Sequence, residues 1–183
     1  MPKDCLIVID MLNDYLDRWE ASSRSLIISK TNQLVDAFRS GDYPIVWVRQ
    51  AFKPDLSDAF LEMRDRQISV TIEGTRGAEI HSDLDQRSTD TVITKKRYSA
   101  FFGTNLEEVL KALGVERITL AGINTHACIR MAAIDAYQRD MRVTIAVDCV
   151  DSNDREHGRM SLNYMSGKIA TVLTNEAIVN ALN

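Results

Sequence analysis

The sequence predicts a three-layer α/β/α fold built on a six-stranded parallel sheet. Apolar, β-rich runs alternate with helical patterns along the whole chain, the signature of a parallel sheet covered by helices on both faces. At 183 residues and 45% hydrophobic content there is enough apolar material for one substantial core, and two domains would be hard to fit. No internal repeat, low-complexity tract or linker divides the chain, so residues 1–183 are expected to form a single domain.

In chain order, strands are expected at residues 5–10, 44–49, 91–94, 117–121, 142–147 and 169–173. Between the first two, residues 25–40 place Leu26, Ile27, Leu34, Val35 and Phe38 on roughly one helical face, with Gly41 positioned to end the helix. Residues 104–113 open with a Thr-x-x-Glu capping box, Thr104 to Glu107, and close before Gly114. Further helices are expected at 125–139, 154–165 and 175–182. Trp47, inside the second strand, reads as core. The stretch 50–87 is the exception: it holds Pro54, Gly74, Gly77 and only a short helical pattern at 56–65. So long a connection in a compact domain is more than a simple link, and it is expected to shape a pocket.

Charge and cysteine content exclude several function classes. The chain has 22 basic and 26 acidic residues, a formal charge of −4, and no run of Lys or Arg that would track a phosphate backbone, so nucleic acid is not an expected partner. The apolar run after Met1 is broken by Asp10, too short for a signal-peptide core or a membrane span, which makes the cytoplasm the expected location and a membrane an unexpected partner. Three cysteines, Cys5, Cys128 and Cys149, form no Cys-x-x-Cys motif and no ligand cluster with the three histidines. Cys5 and Cys149 read as small core residues.

Cys128 is different. It follows the turn Gly122-Ile123-Asn124-Thr125-His126-Ala127, where an apolar strand passes into an amphipathic helix. A thiol in the first turn of a helix meets unpaired N–H groups and the positive end of the dipole, which lowers its pKa and favours the thiolate. Asp10 ends the first strand and Lys95 lies at the end of the third. Carboxyl ends of parallel strands converge on one sheet edge, so an acid, a cation and a thiol can share a cleft despite their separation in sequence. Taken singly, each has an ordinary reading: a buried small residue, a solvated strand end, a helix cap.

Together the blocks are specific. Asp10 with Asn13-Asp14-Tyr15, then Lys95-x-Arg97-Tyr98-Ser99-Ala100-Phe101 with Gly103-Thr104, then Gly122-Ile123-x-Thr125-x-x-Cys128 resemble, in order and spacing, the isochorismatase-like cysteine hydrolases. That family includes nicotinamidases, N-carbamoylsarcosine amidohydrolase and ureidoacrylate hydrolases, and the resemblance extends over nearly the whole chain. It implies Cys128 as nucleophile, Asp10 as acid and base, and Lys95, rather than Lys96, as their charge partner. It further implies an oxyanion hole from the amides of Asn124 and Cys128, a cis peptide between Ile123 and Asn124, and a homo-oligomer, dimer or tetramer, which the aromatic residues Trp19 and Tyr137 also suggest.

Asn13, Arg97, Tyr98 and Phe102 are candidate substrate contacts. His126 is read as turned away from Cys128 by helical geometry. Nicotinamidases carry a metal-binding Asp-x-His cluster after the second strand, whereas residues 49–55 contain no histidine, so no metal or other cofactor is expected. Isochorismatases proper cleave a vinyl ether and typically lack the cysteine. The expected activity is therefore metal-independent hydrolysis of a C–N bond in a small amide, carbamoyl or ureido compound through a Cys128 thioester. The alternatives are a thiol-based redox protein, which would need a resolving thiol near Cys128, and a vinyl-ether hydrolase. A nucleotide or flavin binder is disfavoured because the first strand leads into Asp10-Met11-Leu12-Asn13 instead of a glycine-rich phosphate turn.

Overall fold

A computed structural model describes residues 3–182. Six strands form one sheet: β1 (Lys3–Ile9), β2 (Ile45–Gln50), β3 (Thr91–Lys95), β4 (Val115–Ile123), β5 (Arg142–Asp151) and β6 (Thr171–Leu173). Their order is β3-β2-β1-β4-β5-β6 and every pairing is parallel, as predicted. The helices are α1 (Asn13–Leu16), α2 (Ala21–Ser40), α3 (Leu61–Arg66), α4 (Leu106–Ala112), α5 (Arg130–Tyr137), α6 (Arg155–Met165) and α7 (Asn175–Leu182). Among the described residues no helix is long and apolar enough to cross a membrane.

Strand alternation divides the interior into two cores. Cys5, Ile7 and Ile9 of β1 point to one face, where Leu106 and Leu110 of α4, Ala132 and Ala136 of α5 and Met165 of α6 cover them. Leu6 and Val8 point to the other, under Ile27, Leu34, Val35 and Phe38 of α2 and Ile178 of α7. The central strand is thus buried on both faces, and apolar burial of this kind is the main favourable term in folding. Trp47 lies in the second core, its indole Nε1 donating to Asp90 Oδ2 at 3.0 Å.

Local signals misplaced several details. Leu26, read as part of the buried helical face, is exposed and lines a surface groove. Gly41 does end α2 as its C-cap, at φ −91°, while the left-handed residue that follows is Asp42 at φ 56°. The capping box does not form: Asn105 is the N-cap of α4, and Glu107 pairs with Lys111 and Arg139 instead of reaching back. β5 continues past Asp148 to Asp151, so Cys149 sits within it, where the β4–β5 register slips from Leu120 opposite Ile145 to Gly122 opposite Val150. Asp148 Oδ2, within β5, accepts the Asn175 amide at 2.8 Å at the start of α7. Trp19 is half-buried against the α2 core, while Tyr137 is exposed.

Residues 50–87 form a folded wall. Phe52, Leu56 and Ala59 make a third small core with Phe60, Met63 and Ile72. The wall is tied to the segment after β1: Asp14 Oδ2 accepts the Thr71 amide at 2.7 Å, and the Asn13 side-chain amide donates to the Arg76 and Glu79 carbonyls at 2.8 and 3.3 Å.

Gly122 is where β4 must lie closest to β1. It has φ +116°, and a Cβ there would sit 2.0 Å from the Ile9 carbonyl oxygen. That clash is with main chain, which cannot swing aside. Gly122→Ala is expected to destabilise the fold by about 3 kcal/mol or more in denaturant titration; a loss under about 1 kcal/mol would show that the β1–β4 contact is looser than this.

Candidate active site

The direction of winding reverses between β1 and β4: β2 and β3 lie to one side of β1, β4 to β6 to the other. Crevices at such a switch point, outside the carboxyl ends of the strands, are where open parallel sheets place their sites. Asp10 follows β1 with φ 55°, its amide donating to the Val48 carbonyl at 2.8 Å. This left-handed turn ends the ladder. After β4 the Ile123–Asn124 peptide is cis, and residues Thr125–Ile129 form one wide π-helical turn before α5. Such turns inside helices are frequent at functional sites. The Asn124 carbonyl accepts the amides of Ala127 and Ile129 at 3.1 and 3.2 Å, and that of Cys128 between them is not among its donors.

Lys95 closes the arrangement. It leaves β3, two strands from β1, and its long side chain crosses beneath the cavity with no exposure. The Nζ lies 2.6 Å from Asp10 Oδ2, 3.4 Å from Cys128 Sγ and 3.1 Å from the Arg97 carbonyl oxygen. An ammonium has three protons, and here each has an acceptor. Beyond Lys95 and the Cys128 thiol, no donor among the described residues reaches the Asp10 carboxylate.

These contacts set the resting charges. Burial acts against the Lys95 ammonium, but the Asp10 carboxylate outweighs it and holds the lysine above its usual range. Burial pushes the Cys128 thiol up, Asp10 pushes it further, and Lys95 offsets only part of this. The expected lowering by the helix dipole is thereby corrected. Desolvation and an adjacent carboxylate outweigh the partial charge at the helix start, and the resting group is a thiol.

Above the three residues opens a cavity of about 510 Å³. Asp10, Ile123, Asn124 and Cys128 line its base, Tyr15 and Gln50 one side, and Phe60 to Met63, Ile68 and Val70 of the folded wall another. Tyr15 donates its hydroxyl to Gln50 Oε1 at 2.6 Å, and burial with the nearby Asp10 charge pushes the phenol up, so it stays protonated.

Of the four candidate substrate contacts, Tyr98 lines the cavity, half-exposed and stacked at 4.9 Å on Phe60. The other three do not line it. Asn13 is buried, with its amide group committed to the wall's carbonyls. Arg97 donates to the Asp58 and Lys96 carbonyls at 2.9 and 2.6 Å, and Phe102 is exposed elsewhere. Lys96 ion-pairs with Asp58 and Glu73.

His126 corrects the helical argument, for the wide turn lets it line the cavity, its Nδ1 3.0 Å from Ser152 Oγ. An α-helical projection could not anticipate that. The aliphatic residues of the wall carried no chemical signature, and Tyr15 was visible only as part of the Asn-Asp-Tyr block. Among the described residues, no group of three or more His, Cys, Asp or Glu is placed to hold a metal ion.

With its thiol held up, Cys128 is expected to be alkylated by iodoacetamide at a rate that still climbs above pH 9, the ordinary thiol value. Asp10→Asn removes a charge that raises this pKa, so its profile shifts to lower pH. Peptide mapping by mass spectrometry reads both, and a wild-type plateau near neutral pH would contradict the charge assignment.

Comparison with known proteins places this geometry. Residues 4–177 match the Isochorismatase domain. An Arabidopsis thaliana protein named "Probable inactive nicotinamidase" is 32% identical over 152 residues, 78% of each chain. The crystal structure of an isochorismatase family protein from Desulfovibrio vulgaris superposes with a TM-score of 0.90 at 26% identity, over 100% of this chain and 99% of that one. That of N-carbamoylsarcosine amidase from Thermoplasma acidophilum gives 0.83 at 27%, over 95% and 97%. By its sequence match and its fold, the chain belongs to the isochorismatase-like hydrolase family.

Proposed function

We propose that the protein is a metal-independent cysteine hydrolase that cleaves a C–N bond in a small amide, carbamoyl or ureido compound. The observation that carries this reading is the single ammonium, Lys95 Nζ, in contact with both Asp10 and Cys128 at the base of a cavity.

Asp10 takes the proton from the Cys128 thiol as sulfur attacks the carbonyl carbon. Negative charge passes from the carboxylate through sulfur to the carbonyl oxygen, where the Asn124 and Cys128 amides receive it. Asp10 then returns its proton to the departing nitrogen, leaving a thioester. Water, deprotonated by Asp10, attacks the acyl carbon, and the sulfur leaves and is reprotonated. Lys95 keeps its charge throughout and touches both the donor and the acceptor of the first proton. A raised thiol pKa suits this sequence, because the strongly nucleophilic thiolate forms only when substrate is in place.

Ammonia release from a panel of primary amides, carbamoyl and ureido compounds tests the proposal. Cys128→Ala is expected to abolish it, and Asp10→Asn and Lys95→Met to lower kcat/KM by about 10³-fold or more. The Arabidopsis relative carries "inactive" in its name, so turnover itself has to be seen. Cleavage of a vinyl ether that survives Cys128→Ala, with no ammonia released from the panel, would favour acid catalysis by Asp10 alone. Peroxide oxidation of Cys128 without any hydrolysis would favour a redox role.

A further inference from the structure

Charge is unevenly distributed around the cavity above Cys128. Phe60, Leu61, Met63, Ile68 and Val70 form an apolar wall facing Tyr98. None of the described residues lining the cavity is Lys or Arg, and two of them, Asp10 and Glu62, are acidic.

The basic side chains close by are either committed elsewhere or, like Arg64 on α3, exposed outside the cavity lining. Lys95 is matched by Asp10 and has no exposure. Arg97 is turned to two backbone carbonyls, with its guanidinium 5.1 Å from the centre of the Phe60 ring, and Lys96 is held between Asp58 and Glu73. Arg66 pairs with Glu62 at 2.7 Å across one turn of α3. His126 supplies no cation at neutral pH either. Burial lowers its pKa, Asp154 only partly opposes this, and His157 adds to the lowering.

Resting on the cysteine-hydrolase reading, the geometry points to a substrate class: an uncharged amide or carbamoyl compound with an apolar body, and not one that carries a carboxylate. A carboxylate placed here would lose water with no lining Lys or Arg to replace it, since Lys95 and Arg66 are already matched by Asp10 and Glu62, and the apolar wall cannot return that cost. An alkyl or aryl group placed against the same wall gains by leaving water. The polar end of the molecule meets the Asn124 and Cys128 amides and His126, whose Nδ1 is held by Ser152 so that Nε2 is the ring nitrogen left for a ligand.

Alkylation of Cys128 tests the cavity without requiring turnover. The rates with N-benzyl iodoacetamide and with iodoacetate are measured on the intact protein by peptide mapping, and their ratio is divided by the same ratio for 2-mercaptoethanol. The expected preference for the neutral reagent is about tenfold or more. Leu61, 65% exposed at the cavity mouth, accepts a longer side chain without disturbing the core, and Leu61→Arg is expected to narrow the preference. A ratio equal to that of the free thiol, or one unchanged by Leu61→Arg, overturns the inference. Hydrolysis of phenylacetamide is then compared with that of its 4-carboxy counterpart. Faster cleavage of the carboxylated amide also overturns it, whereas silence on both and on the whole amide, carbamoyl and ureido panel, with the alkylation preference intact, defeats the hydrolase reading and leaves the selectivity of the cavity standing.

Discussion

The ion pair between Lys95 and Asp10 constrains more of this molecule than any other contact. Both side chains are almost completely buried, and a buried charge without a partner costs several kcal/mol. The pair is tolerable only if β1 and β3 end at the same height with β2 between them and the lysine stem lying flat across the strand ends. The sheet order meets that condition. The cost is further offset because the Arg97 carbonyl and Cys128 sulfur take the remaining lysine protons. Asp10 has no such support beyond Lys95 and the thiol, so its carboxylate is held in place yet left open toward the cavity. For the proton acceptor that the proposed function makes of Asp10, that placement is better than saturation with hydrogen bonds.

Backbone conformation does the rest of the placing. At three successive points the chain leaves ordinary strand geometry: Gly122 with positive φ, the cis Ile123–Asn124 peptide and the π-helical turn at Thr125–Ile129. Close approach of β4 to β1 at Gly122 is followed by the turn whose Cys128 meets Asp10. The wide turn then directs both Cys128 and His126 to one cavity, which an α-helical turn with side chains spaced by 100° does not do for residues two apart. Ser152, at the end of β5, fixes His126 from the other side through both its backbone amide and its ring nitrogen.

What could be read from sequence divides along the same line. Sheet architecture was legible because strands buried on two faces and helices buried on one carry long apolar patterns, and the convergence of Asp10, Lys95 and Cys128 was legible because parallel strands end at one edge. The sign of the thiol shift was not. A helix start favours the thiolate, but burial and a neighbouring carboxylate decide the outcome, and neither is a local property of the sequence. That Asn13 and Arg97 stand outside the cavity lining was not legible for a related reason. Polar residues beside a site are equally suited to holding substrate or holding the wall, and here their donors are taken by carbonyls of residues 58, 76, 79 and 96.

That division of labour explains why the wall is built as it is. The groups proposed to react, Asp10, Lys95 and Cys128, stand at or just after strand ends whose positions the sheet dictates, so on that reading they leave little freedom to choose among substrates. Residues 50–87 contribute no reacting group, but they supply the apolar side of the cavity and carry a small core of their own. They are tied to the segment after β1 through Asp14 and Asn13, and to the segment after β3 through Lys96 and Arg97. The same Asn-Asp and Lys-Arg pairs that flank Asp10 and Lys95 in sequence therefore act one step removed from the chemistry, by fixing the wall relative to the nucleophile. A change in the wall's apolar lining alters which molecule is presented to Cys128. A change in its anchors alters where any molecule is presented, and near-attack geometry is sensitive to displacements of about 1 Å.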